Sequence, residues 1–225
     1  MASCPVRARV RRNTLGALSK TDWGEAPTVC LEDPRWTIPL HRHMSLFRST
    51  LEAARRSDGE LFLLLEDDLL FNRFLRHNLE AWEPIRALRC DMHFFASIFN
   101  PGVVIRKVDG QRNWAEAEPL SVFGSQGLVI SRRTVEYLVT CWGVVSVTHA
   151  DIKLARLAAL VCPILYHQPS LVQHVGFNSL WGGPFTAASD FDPRWTASRP
   201  ELPHRGQILE LESQRFGQRH AATIA

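Results

Sequence analysis

The stretch that most constrains the fold is an apolar run, Leu61-Phe62-Leu63-Leu64-Leu65, followed directly by three carboxylates, Glu66-Asp67-Asp68. An unbroken apolar run of this length is typical of a strand that is covered on both faces of a sheet, as in α/β domains. A short apolar run also fits a buried helix. The turn signal Asp58-Gly59 favours a strand that starts near Glu60. We therefore expect the three acids at the carboxyl end of a buried strand.

The acidic triplet indicates a nearby cation. Three adjacent carboxylates repel one another, and burying them without a positive partner is costly. In an extended segment side chains alternate, so Glu66 and Asp68 would point one way and Asp67 the other. Hard oxygen ligands at a strand end suit Mg²⁺ or Mn²⁺, and these ions commonly bridge to phosphates. The alternatives are a solvated loop and the acidic first turn of a helix.

Composition narrows the class of protein. The chain has 225 residues, of which 45% are hydrophobic and 22% charged, as in a soluble globular protein. A net charge of +3 is too small to indicate a nucleic-acid partner. No apolar run approaches the roughly 20 residues of a transmembrane helix. No signal-peptide core follows the basic start, and the five cysteines are scattered. We expect a cytoplasmic protein without a transmembrane segment.

Apolar periodicity predicts alternating strands and helices, which is the beginning of a nucleotide-binding α/β unit. From residue 184 onward this periodicity fades. We expect one α/β domain over residues 1–183 and an irregular C-terminal extension over residues 184–225. Strands are predicted at 6–10, 28–31, 91–99 and 163–166, helices at 12–18 and 42–56, and a surface loop at 109–119.

Two further stretches carry polar groups at element boundaries. The sequence Gly124-Ser125-Gln126-Gly127 precedes a predicted strand, and its two glycines permit a close backbone approach to a ligand. A plain tight turn explains the same residues. Asp151 opens a predicted helix over 152–160, where it could also serve only as a first-turn acid.

Together these stretches resemble a known family in their motif order. The acidic triplet is followed by Gly-Ser-Gln-Gly-Leu-Val-Ile-Ser at 124–131, by Asp151, and by Pro-Ser-Leu-Val-Gln-His-Val-Gly at 169–176. Over residues 12–183 the chain resembles GT-A-fold glycosyltransferases, in particular the N-acetylglucosaminyltransferase IV type and its bacterial relatives. The resemblance implies an α/β, GT-A-like nucleotide-diphospho-sugar transferase fold, with a mostly parallel central sheet flanked by helices.

The resemblance also implies a donor site. Asp68 would ligate a Mn²⁺ or Mg²⁺ ion that bridges the donor diphosphate, and His174 would complete the metal shell. The triplet departs from the family's Asp-x-Asp motif because its first residue is Glu66, which would face the ribose or the metal's water shell. The implied donor is a nucleotide sugar, with UDP favoured. The residues implied to bind it are Glu66, Asp67, Gly124, Gln126 and Gly127, and Trp181 would either stack on a sugar or pack in the core.

The implied catalytic residue is Asp151. An acceptor hydroxyl has a high pKa, and a carboxylate within hydrogen-bond reach can remove its proton during attack on the anomeric carbon. Attack from the face opposite the diphosphate inverts that centre. The acceptor would be a carbohydrate, a natural product or a lipid-linked molecule. Two alternatives stay open: a metal-dependent nucleotidyltransferase or phosphoesterase, and a non-catalytic sugar-nucleotide-binding domain.

Overall fold

The protein has a mixed α/β fold, in which a central five-stranded sheet is flanked by helices. The computed structural model describes residues 1–102, 113–122, 124–176 and 185–198. The strands in these ranges are β1 (Ala2–Ser3), β2 (Cys30–Leu31), β3 (Leu61–Leu65), β4 (Leu69–Phe71), β5 (Phe95–Ser97), β6 (Trp114–Ala117), β7 (Gly127–Ser131), β8 (Ile164–His167) and β9 (Val172–His174). The α-helices are α1 (Ala8–Leu18), α2 (Pro39–Arg56), α3 (Leu75–Ala81), α4 (Glu83–Arg86), α5 (Arg132–Thr140) and α6 (Ala150–Ala158).

The central sheet has the strand order β3-β7-β5-β8-β6. Strand β7 runs antiparallel to both of its neighbours, and β6 runs antiparallel to β8. Within this five-stranded sheet only the β5–β8 pair is parallel, and the separate two-stranded β1–β2 sheet is parallel as well. The expectation of a mostly parallel sheet is therefore wrong. An apolar run reports that both faces of a strand are covered, but it carries no information about the direction of the neighbouring strands.

The apolar run does form the strand that its pattern predicts, but only Leu64 and Leu65 are buried, and Leu61, Phe62 and Leu63 are half-buried. Strand β3 begins at Leu61 and ends at Leu65, immediately before the acids. Phe62 and Leu64 pack in one hydrophobic cluster, with α2 and α5, while the odd-numbered leucines pack in a second cluster with the end of α1 and with α3. The two clusters lie on opposite faces because successive side chains of a strand alternate.

Two other predictions of local structure are wrong. Residues 6–10 form part of a 3-10 turn (Pro5–Arg7) and the start of α1, and no strand. Pro5 occupies the first position of that turn, where a missing N–H costs nothing. The loop predicted at 109–119 contains strand β6, which pairs with β8 at the edge of the central sheet. Residues 109–112 of that loop lie outside the described ranges.

Residues 185–198 contain no helix or strand but are bound to the domain by hydrogen bonds. The side-chain amide of Asn72 donates to the carbonyl groups of Asp192 and Trp195, at 2.8 Å each. Ser170 donates to the Asp190 carboxylate at 2.6 Å. In the described ranges no helix is long and apolar enough to cross a membrane.

Candidate functional site

The acidic triplet lies in a tight connection between β3 and β4, and helix α1 fixes its backbone. The Thr14 hydroxyl donates to the carbonyl of Asp67 at 2.6 Å and accepts from the N–H of Leu69 at 3.1 Å. Thr14 is itself buried. A single side chain of α1 therefore holds the backbone on both sides of Asp68.

Asp67 faces the N-terminal segment. The Ser3 hydroxyl donates to its Oδ2 at 2.5 Å, and Arg7 Nη1 lies 3.2 Å from its Oδ1. Burial raises the pKa of Asp67 above its ordinary value, although Ser3 and Arg7 oppose that effect. The carboxylate of Asp67 thus binds groups of the chain itself.

Asp68 is nearly inaccessible and has two basic neighbours. Arg7 Nη2 donates to its Oδ2, and His174 Nε2 lies 3.2 Å from the same oxygen. Burial acts to raise the pKa of Asp68, but the hydrogen bonds from His174 and Arg7 together hold it below its usual value. Its other oxygen, Oδ1, is buried and has no hydrogen-bond partner among the described residues. That oxygen is an available ligand atom.

The pairing of β4 with β9 brings His174 to the acids. Leu69 lies opposite His174 in this ladder, and the N–H of Val175 donates to the carbonyl of Asp68 at 2.9 Å. Gly176 follows directly, and a Cβ atom on it would collide with the Asp68 carboxyl group. The backbone at Gly176 can therefore approach Asp68 this closely only because the residue has no side chain.

His174 has a defined orientation. Its Nδ1 lies 3.0 Å from the carbonyl oxygen of Thr186, which can only accept, so Nδ1 carries a proton and Nε2 faces Asp68. Phe185 stacks on the ring, with centroids 5.4 Å apart. Burial is the largest single influence on the pKa of His174 and lowers it. The hydrogen bond to Asp68, the charges of Asp68 and Glu66 and the bond to Thr186 together raise this pKa by more, so the net shift is upward.

Glu66 lies beside these groups at the end of β3. Ser125 donates a hydrogen bond to its carboxylate. Burial, together with repulsion from Asp68, raises the pKa of Glu66 to about 7, and the bond from Ser125 opposes that rise. Glu66 is therefore a carboxyl group whose charge depends on pH near neutrality.

The glycine loop and helix α6 meet at Asp151. Gly124 has a φ of 91°, which a residue with a side chain rarely adopts, and its N–H donates to Asp151 Oδ2 at 2.7 Å. The side-chain oxygen of Gln126 is buried without a hydrogen-bond partner among the described residues. Gly127 lies in the core. A Cβ on it would lie 2.8 Å from Ile98, so the position has no room for a side chain.

The structure thus brings together most of the residues that the sequence singled out. Sequence reasoning missed Arg7 and Ser3, and it gave no separate role to Ser125 or Gly176, although both lie inside the quoted motifs. Trp181 lies outside the described residues. Within the described ranges, no three His, Cys, Asp or Glu side chains are grouped closely enough to hold a metal ion by themselves.

In comparisons with known proteins, no protein-family model matches this chain and no curated protein matches it.

Proposed function

We propose that the protein is a metal-dependent glycosyltransferase with a GT-A-like domain, which moves a sugar from a nucleotide-diphosphate donor to an acceptor hydroxyl with inversion. The observation that carries this proposal is the pairing of Asp68 with His174 at the carboxyl end of an apolar strand. The motif order of the sequence favours a UDP-sugar as the donor. The acceptor would be a carbohydrate, a natural product or a lipid-linked molecule.

The residues fit a divalent cation that is shared with the donor. Asp68 Oδ1 lacks a partner among the described residues, and His174 directs Nε2 towards the same carboxylate. Mg²⁺ and Mn²⁺ are commonly held by one or two protein ligands, with phosphate and water oxygens completing the shell. Such an ion would neutralise the charge that develops on the leaving nucleoside diphosphate.

Arg7 supports a diphosphate site. Its guanidinium binds Asp67 and Asp68, so it supplies the positive charge that the two buried carboxylates require. A guanidinium binds phosphate oxygens well because its planar array of donors matches their geometry. In this proposal Arg7 orients the diphosphate next to Asp68.

Asp151 is the proposed general base. It lies in the first turn of α6 and contacts the loop that carries Gly124 and Gln126. One carboxylate oxygen accepts from the Gly124 N–H, which orients the group, and the other would take the proton of the acceptor hydroxyl. Gln126, with its buried unpaired oxygen, would contact sugar hydroxyls.

The same contact gives specific support to a second candidate function. The Asp151 carboxylate holds the N–H of Gly124 in the loop, and this structural role does not require that Asp151 take part in catalysis. A non-catalytic sugar-nucleotide-binding domain would keep Asp68, His174 and the Asp151–Gly124 hydrogen bond, and would lack transfer activity.

Titration calorimetry with UDP, in the presence and absence of Mn²⁺, tests the proposal. Wild type should bind UDP only with the metal, and Asp68→Asn should weaken that binding at least tenfold because the anionic ligand is lost. Asp151→Asn should retain binding but lose transfer from a UDP-sugar. Gly143→Ala is the matched control, since a Cβ there meets nothing within 4 Å.

The outcomes separate the candidates. Metal-independent UDP binding, or unchanged binding by Asp68→Asn, would remove the acidic triplet from the site. Metal-dependent binding without transfer by the wild type, across a panel of UDP-sugars and acceptors, would favour the binding domain. Full transfer by Asp151→Asn would show that another group is the base.

A further inference from the structure

A cleft with a volume of about 560 Å³ lies where the end of α1 approaches β4. Ala17 and Thr21 line it from the helix side, Leu70 and Phe71 line it from β4, and Phe191 lies on a third side. None of the candidate-site residues described above is among the residues that line it. Small-molecule sites commonly have volumes of roughly 300–1,000 Å³. The cleft is therefore separate from the acidic site and large enough for a ligand of its own.

Backbone hydrogen bonds fix the shape of this cleft. The N–H of Asp22 donates to the carbonyl of Arg73 at 3.0 Å, and the N–H of Arg73 donates to the carbonyl of Pro193 at 2.9 Å. At the start of β4, the N–H of Leu69 donates to the Thr14 hydroxyl of α1 at 3.1 Å. The three sides are thus bound to one another, and a ligand would need little rearrangement of the backbone to enter.

The β4 side of the cleft exposes a large apolar side chain. Leu70 is 46% exposed, whereas its neighbours Leu69 and Phe71 are 1% and 6% exposed. Successive side chains of a strand alternate between its two faces, so Leu70 lies on the opposite face from the core. Phe191 is half-buried beside the cleft. An apolar ligand group would cover Leu70 and the ring of Phe191 together.

Two basic residues, Lys20 and Arg73, also line the cleft. Both are exposed, and neither side chain has a hydrogen-bond or ion-pair partner among the described residues. Lys20 lies two residues before Asp22, whose N–H donates to the Arg73 carbonyl. The two positive charges therefore lie at the same end of the cleft.

The carboxylates nearest in sequence to the cleft bind other groups. Asp22 accepts from the backbone N–H groups of Arg76 and His77, at 2.8 and 2.9 Å. Asp192 accepts from the N–H of Arg194 at 2.8 Å. Neither carboxylate pairs with the two cations of the cleft. A negatively charged group from outside the chain would complement them.

We propose that this cleft binds a single-chain anionic amphiphile. Its acidic head group, a phosphate or a carboxylate, binds Lys20 and Arg73, because ammonium and guanidinium donors suit such oxygens. Its hydrocarbon chain lies over Leu70 and Phe71 and packs against Phe191. This binding requires neither a metal ion nor the chemistry proposed for the acidic site.

Titration calorimetry of the full-length chain with octyl phosphate, in buffer without divalent metal, tests this proposal. Octyl phosphate should bind roughly tenfold or more tightly than octanol and than inorganic phosphate, because each of these lacks one half of the ligand. Hexyl phosphate should bind about fifteenfold more weakly than octyl phosphate, since two buried methylene groups are lost. The relative affinities of octyl phosphate and octanoate show whether the head group is a phosphate or a carboxylate.

Variants locate the binding in this cleft. Lys20→Gln/Arg73→Gln should weaken octyl phosphate binding roughly tenfold or more and remove its advantage over octanol. Leu70→Asn should weaken octyl phosphate but leave inorganic phosphate unchanged. The matched control Arg48→Gln/Arg133→Gln removes two charges from exposed positions on α2 and α5 and should bind as the wild type does. All five positions are exposed, so the urea midpoints of the variants should match that of the wild type.

The proposal is overturned if the wild type binds neither octyl phosphate nor octanoate, or binds octanol as tightly as octyl phosphate. It is also overturned if Lys20→Gln/Arg73→Gln keeps the wild-type affinity, because the anion would then bind elsewhere. Binding to phosphatidylglycerol vesicles without binding to either single-chain ligand would overturn it as well, since the basic surface would then attach to a membrane.

Discussion

Two buried histidines, His174 and His167, have similar bonds but opposite electrostatics. Each lies at the end of a strand, and each places Nδ1 within 3.0 Å of a backbone carbonyl oxygen, of Thr186 and of Pro169 respectively. His174 faces the Asp68 carboxylate, which raises its pKa. Nε2 of His167 has no partner among the described residues, and burial lowers its pKa to about 4.

The difference teaches what separates a site histidine from a core histidine in this protein. The rings of Trp82 and Trp195 contact His167, with centroids 4.8 and 5.5 Å away. That environment excludes charge, so His167 acts as a packing residue. His174 is equally well held, but a carboxylate beside it stabilises a positive charge. The group that faces Nε2 therefore decides whether each histidine belongs to the site or packs in the core.

The largest expected effect concerns His167, the histidine that packs in the core. His167→Ala should reduce the free energy of unfolding by about 3 kcal/mol, because it leaves a cavity between two tryptophans. His174→Ala should cost only about 1 kcal/mol, since Arg7 still neutralises Asp68. Urea unfolding at pH 7.5 measures both values. Equal losses in the two variants would contradict the distinction.

The next effect is a loss of stability in acid. The pKa of His167 is about 4 in the folded chain and 6.5 when unperturbed, so the unfolded state takes up the proton first. Its neutral burial stabilises the fold fully above pH 6.5, and this contribution is lost as the pH falls towards 4. Between pH 7 and 5 the loss is roughly 2 kcal/mol.

Urea midpoints at several pH values check this expectation against His167→Gln, which cannot titrate and should show a flatter pH dependence. The contribution of His174 to the pH dependence of stability has the opposite sign. Its raised pKa favours the folded state below pH 6.5, and that contribution disappears as the pH rises through the folded value. An identical pH dependence in wild type and His167→Gln would show that His167 is not the acid-sensitive group.

The smallest expected effect concerns the pKa of His174, the histidine of the candidate site. Asp68→Asn replaces the carboxylate by a neutral amide of similar size, so the pKa of His174 should fall below its wild-type value. Ring-proton NMR titration measures it residue by residue, and the His167 resonances serve as the internal control. An unchanged His174 pKa would mean that Asp68 is not the group that raises it.

Several features of the fold could be predicted because local sequence encodes them. The apolar run predicts β3, and the helix predicted over 152–160, which Asp151 opens, is observed as α6. The direction of the sheet could not be predicted, because β7 joins β3 to β5 through pairings distant in sequence. Arg7 was missed for a related reason: 61 positions separate it from its partner Asp68.

The sequence by itself determined where charge concentrates: three carboxylates after a buried strand, a glycine loop, an acid at a helix start and one histidine in a distinctive motif. Only the tertiary structure decided how these groups are paired. In the structure Asp67 binds Ser3 and Arg7, Asp68 pairs with His174, and Asp151 accepts a hydrogen bond from the backbone N–H of Gly124. The physical reason is that a residue type fixes charge and hydrogen-bonding capacity, whereas burial and long-range strand pairing fix the partner and therefore the protonation state.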